Sequence, residues 1–256
     1  MRNGSEGPCY APPVLVAILV SRVSLRLALT AMLLVGSAAG SPIAQQGLPA
    51  GVKRGAPVER LGPDSLRVGN VKVDTAKKEV AVAGVVNNVT TLEFIANTKG
   101  GFKAYESALE LDTDAVSFNL ALILIGLDPS RAIPARFALD PTPPQGDPVE
   151  IWVEWDESGR RRRVRAEQLV FNQTSKQTLS EGPWVYTGST FSVQNNAYLA
   201  DLEGSLIGFI HSNAPVIESP RPLAVGTYGS NRVNPDLNLK AGTSVLLIVR
   251  ALPRDR

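Results

Sequence analysis

Three side chains with chemistry to offer, Lys103, Tyr105 and Glu106, stand within four residues of one another in GFKAYESALEL, shortly before the apolar run AVSFNLALILIG. A lysine close to a tyrosine favours the phenolate, and a neighbouring glutamate can give or take a proton. On an extended strand, however, Lys103 and Tyr105 share one face and Glu106 points to the other. The three converge only if a turn or bulge intervenes. The structural alternative is a polar lip. Tyr105 then packs over the start of the following helix, and the polar ends reach its free amides and the nearby Asp112 and Asp114.

Other candidates are more scattered. Ser189 in TGSTF lacks the G-x-S-x-G elbow and needs a histidine partner, and His211 is the one histidine. A pair of Lys103 with Ser107 or Ser189 has no motif behind it. Trp184 and Tyr186, with Trp152 and Trp155, could stack on sugars or simply fill a core. Asp201, Glu203 and His211 complete the ligand-binding candidates. A cleft lined by Lys103, Glu106, Asp201 and Glu203 favours an enzyme, whereas a flat face with ion pairs favours a binding module. GTYGSN at 226–231 lacks the lysine and the helix of a phosphate loop.

Composition removes several chemistries. Of 26 basic and 24 acidic side chains, three basic and one acidic lie in the first 44 residues, leaving 23 of each. A neutral chain exerts no general pull on nucleic acid, which is not expected as a partner. The only cysteine is Cys9, so the rest of the chain offers no disulfide, thiolate or cysteine-ligated metal. With one histidine and no calcium-loop spacing, neither a metal nor a cofactor is expected.

Residues 22–44, RVSLRLALTAMLLVGSAAGSPIA, have the basic, apolar and small-residue regions of a secretory signal. The expected cleavage follows Ala39, with Ala44 as the alternative, which places the protein outside the cytoplasm, secreted or periplasmic. An earlier apolar run begins at Val14, either as an unused N-terminal extension or as part of an anchor. Membrane contact is expected only through this segment, if it is left uncleaved. Arg22 and Arg26 inside the apolar stretch weigh against a span.

The elements needed to position these groups follow from pattern. Residues 40–64, rich in Pro and Gly, read as a disordered tether, and an ordered domain is expected over 65–253. Alternating valines and lysines in 66–86 predict two antiparallel strands with a turn at 74–78, followed by strands at 91–97 and 102–111. Residues 113–125 predict a helix capped by Asp112 or Thr113 and ended by Gly126 and Pro129; it lacks a polar face and should be buried by sheet. Six prolines in 127–148 exclude regular structure there. A hairpin turning at 157–159 follows, in which Arg160 to Arg163 face Glu150, Glu154 and Asp156 or form a polyanion patch. Strands return at WVYTGSTFSV, YLADLEG, SLIGFIH and TSVLLIVRALP. The expected class is α+β, a mainly antiparallel sheet around one buried apolar helix.

In series, VKVDTAKKEVAVAGVV, TLEFIANTKGGFKAYESAL, FNLALILIGLDP, PVEIWVEWDESGRRRRVRAEQLV, GPWVYTGSTF, AYLADLEGSLIGFIHSNAPVIESP and TSVLLIVRALP resemble the YdjY domain family over about residues 66–252. The resemblance implies an exported bacterial envelope protein and no established activity. The family's Lys-x-His-Glu-Ser-like block is matched here by Lys103, Ala104, Tyr105, Glu106 and Ser107, with tyrosine in place of histidine. That departure weakens any imidazole chemistry at the position. The reading is a binding or scaffolding module, more non-enzyme than enzyme, for an unknown envelope ligand or protein. The alternative is a hydrolase or transferase acting on an envelope polymer through Lys103 and Glu106.

Overall fold

Short runs of Val, Ile, Leu and Trp alternating with charged residues favour strands over helices, and strands dominate the computed structural model. It describes residues 55–221 and 229–254. In chain order the strands are β1 Val58–Arg60, β2 Ser65–Val68, β3 Val71–Asp74, β4 Glu79–Val86, β5 Phe94–Thr98 and β6 Ser107–Leu111. Helix α1 is Ala115–Leu124. Then come β7 Asp147–Glu157, β8 Arg160–Arg165, β9 Val170–Asn172, β10 Gln177–Thr178 and β11 Trp184–Tyr186. Helix α2 is Leu199–Glu203, followed by β12 Ser205–Gly208, β13 Ile217–Glu218, β14 Asn231–Val233 and β15 Ser244–Ala251. The expected signal segment and residues 40–54 of the expected tether lie outside the described residues.

Eight strands close on themselves in the order β4-β15-β7-β11-β13-β12-β5-β6, with β6 pairing back onto β4. Two contacts, β12–β13 and β5–β6, are parallel and the others antiparallel, so the barrel is mixed. This overturns the α+β expectation of a sheet around a helix: the domain is mostly β, with only 16% helix. Closure satisfies both edges of the sheet, which an open layer on a helix leaves unpaired. Inside the wall the register stacks Val80, Val249 and Ile151 in one row and Val82, Leu247 and Val153 in the next. At the seam β4 exchanges β3 for β6. A Cβ on Gly84 would lie 2.4 Å from the carbonyl oxygen of Glu110, so only glycine permits the approach.

The helix is shorter than expected and is not enclosed. Asp114, not Asp112 or Thr113, caps it through Ser117 N at 2.7 Å. Phe118 and Leu122 are fully buried while Ile123 is exposed; α1 packs on β2, β3, β12 and α2. The 66–86 stretch makes three strands, because Gly69 (φ +57°) supplies a tight turn between β2 and β3. Part of the expected tether is β1, paired with β2. YLADLEG is the helix α2 rather than a strand, closed by Gly204 in the left-handed region.

On the outer wall a chain of alternating charge crosses the sheet: Glu79, Arg250, Glu150, Arg165, Glu167 and Arg221. The arginine run makes a separate set of pairs. Arg161 and Arg163 reach Glu154 at 2.5 and 3.6 Å, and Arg162 reaches Glu157 at 2.9 Å. Arg163 also stacks on Trp152 at 4.6 Å. The run is engaged within its own hairpin. No described helix is long and apolar enough to cross a membrane.

Candidate functional site

GGFKAYES does not run on as a strand. Residues Phe102–Glu106 form a 310 turn, and the i,i+3 spacing of that turn brings Lys103 over Glu106. Lys103 Nζ lies 2.6 Å from Glu106 Oε1 and 5.6 Å from the centre of the Phe94 ring. The turn is anchored by Ser107 Oγ donating to Lys103 O at 2.7 Å and by Glu93 N donating to Glu106 O. Burial works against the charge on Lys103, but the contact with Glu106 outweighs it and holds the ammonium pKa above its ordinary value. The pair lies at the mouth of β6, and the whole of β6 separates it from α1. The cluster therefore does not cap the helix as expected; Asp114 does that.

Tyr105 points outward, more than half exposed, with its ring edge-on to that of Phe102 at 5.8 Å and 81°. Against this turn packs α2. A Cβ on Gly204 would lie 2.4 Å from Gly101 Cα, and Thr98 N donates to Gly204 O at 2.7 Å. Two glycines thus weld the turn to the helix. Glu203 comes close enough to feel both members of the pair. Burial raises its pKa first, Lys103 opposes that, and Glu106 adds to it. An open cleft of about 400 Å³ runs alongside, lined by Thr98, Lys99, Phe102, Thr113, Asp114, Asp201 and Leu202, among others. Asp201 is in its wall. Lys103, Glu106 and Glu203 are not.

The other sequence candidates are dispersed. Trp184 and Tyr186 are fully buried, and Tyr186 donates to Asn119 Oδ1 of α1 at 2.6 Å. Ser189 Oγ accepts from Ala200 N at the start of α2. His211 is fully buried, with Nδ1 2.7 Å from Asp140 O and Nε2 3.0 Å from Arg221 O. A neutral imidazole can donate to only one of these carbonyls. Among the described residues no group of three or more His, Cys, Asp or Glu side chains could hold a metal ion.

Sequence reasoning passed over two features. Phe102 and Leu202 escaped notice because a single exposed apolar residue carries no pattern. Glu218 was readable as one carboxyl inside the apolar run APVIES. It is fully buried on β13, accepts from Ser212 N at 2.7 Å, and is pushed up to about 8 by burial, against which the nearby backbone amides of Ser212 and Ala135 act. It fastens the segment between β12 and β13 to the barrel wall.

The family model described as the YdjY domain matches residues 71–250, from the start of β3 into β15, a span that takes in the eight barrel strands. Comparison with curated proteins and with solved structures returns no match.

Proposed function

This chain belongs to the YdjY domain family, and from that premise we propose that it is an exported cell-envelope protein whose domain binds or scaffolds a partner rather than catalysing a reaction. Export rests on the basic, apolar and small-residue regions of residues 22–44. The binding reading rests on one observation. Lys103, Ser189 and His211, the groups named for acid–base or nucleophilic work, are held by structural contacts, while large apolar side chains stand exposed beside the cleft. Lys103 is spent on Glu106, Ser189 on an amide and His211 on two carbonyls. Phe102, Tyr105 and Leu202 stand exposed. Large apolar side chains grouped at a surface are the usual mark of a binding site.

The alternative, a hydrolase or transferase working through Lys103 and Glu106, has less support because Glu106 faces its lysine and not the cleft. Purified peptidoglycan incubated with the mature chain separates the two. Absence of released soluble fragments is the expected result. Fragment release that Glu106→Gln abolishes overturns the binding reading. Intact mass of protein recovered from its native envelope tests export: the expected N-terminus lies between Gly40 and Gln45, and retention of residues 1–35 overturns a cleaved signal.

A further inference from the structure

We infer that the end of the barrel formed by the 102–106 turn and α2 docks a basic peptide segment bearing apolar side chains, supplied by a partner protein. This rests on the binding-module reading and names the class of ligand. Two independent properties of the face carry it. The first is charge. Residues 98–114 and 198–204 hold Glu106, Glu110, Asp112, Asp114, Asp201 and Glu203 against only Lys99 and Lys103. Both lysines are already matched within the face, Lys99 to Asp112 at 3.0 Å and Lys103 to Glu106 at 2.6 Å. With every carboxyl ionised, the count leaves an excess of four negative charges here, matched by an excess of four positive charges over the rest of residues 45–256. Glu110 accepts from Gly100 N and Asp114 caps α1. Amide donors orient a carboxylate without cancelling its charge, so the field persists and steers cations.

The second property is apolar relief. Phe102, Tyr105 and Leu202 rim the face, and Phe191 and Val193 stand exposed on the segment leading into α2. Their carrier is rigid. Gly101 and Gly204 pack backbone on backbone, and Leu199 N and Ala200 N are tied to Thr190 O and Ser189 Oγ. A preorganised face loses little entropy on binding. Apolar knobs within an acidic field are complementary to a strand or helix that alternates Leu with Lys or Arg. They suit a saccharide poorly, since the Phe102 and Tyr105 rings meet at 81° and share no plane on which a sugar ring could lie. An anionic ligand is repelled.

The test uses the mature chain and three probes: a synthetic amphipathic peptide of Lys and Leu, the same peptide with Glu for Lys, and chitohexaose. Binding is read by calorimetry at about 50 mM and about 300 mM salt. The Lys/Leu peptide is expected to bind at about micromolar Kd, more weakly at the higher salt, and the other two probes not at all. Asp201→Asn and Leu202→Ser should each weaken binding about tenfold. Glu157→Gln on the β7–β8 hairpin should leave it unchanged. Thermal melts confirm that all variants fold. Equal affinity in Asp201→Asn and the parent reduces the effect to non-specific charge and overturns the inference, as does absence of binding. Chitohexaose binding that Leu202→Ser removes overturns the ligand class while leaving the binding-module reading intact.

Discussion

Glu218→Gln offers a measurement whose sign follows from the fold. The carboxyl is buried on β13 and pushed up to about 8, against 4.5 in its ordinary state. Between those two values the unfolded chain has released the proton and the folded chain has kept it. Folding therefore takes up a proton, and stability falls as pH rises, by at most ~1.4 kcal/mol per pH unit. Across the full window the loss approaches about 5 kcal/mol as an upper limit, reduced by whatever water reaches the carboxylate. The contribution is complete below about pH 4.5 and gone above about pH 8. Glutamine keeps an acceptor for Ser212 N but does not titrate. Its extra buried donors cost about 1–3 kcal/mol, the same at every pH. The slope of the difference is thus immune to that offset. Urea unfolding of parent and Glu218→Gln from about pH 5 to about pH 9 supplies it. The parent should lose several kcal/mol relative to the variant across this range. Parallel profiles, within about 0.5 kcal/mol at every pH, would mean that Glu218 is ionised in the folded protein and refute the argument.

Three further outcomes are expected. Leu122→Ala removes a fully buried side chain of α1 and should cost about 2–5 kcal/mol in chemical unfolding; a loss below about 1 kcal/mol would show that α1 is not part of the core. Glu106→Gln leaves the Lys103 ammonium, only 21% exposed, without its charged partner, so the midpoint of unfolding should drop by an amount worth about 1–3 kcal/mol. A melt that superimposes on the parent's would release Glu106 from its structural part. Gly204→Ala places a Cβ 2.4 Å from Gly101 Cα at a φ of +73°, and should destabilise by more than the ~1 kcal/mol that a left-handed alanine costs by itself, with amide exchange rising in both the 102–106 turn and α2. Exchange that rises in α2 alone would mean the two are not welded.

Local properties were legible in the residues themselves. Valine and lysine alternation in 71–86 marks strands because side chains leave a strand on opposite faces. The same rule places Glu150, Trp152 and Glu154 outside and Val149, Ile151 and Val153 inside. The apolar run at 115–124 marked a helix, although only one side of it is buried, and the types of the Lys103–Glu106 cluster named the possible chemistry. Barrel closure was not legible. It depends on β6 meeting β4 and on two parallel pairings, one of them made by β13, which is two residues long. Pairings between distant segments leave no periodic trace in either strand. The cluster's geometry was hidden for the same reason. Residues 102–106 cannot continue as strand because β5 and β6 pair in parallel, which makes the chain fold back between them, and Gly204, a hundred residues away, packs on Gly101 at that return. Sequence determined which groups were present and which face each strand would bury; tertiary contact decided which of those groups would meet, because closeness in space here is set by the closure of the sheet and not by distance along the chain.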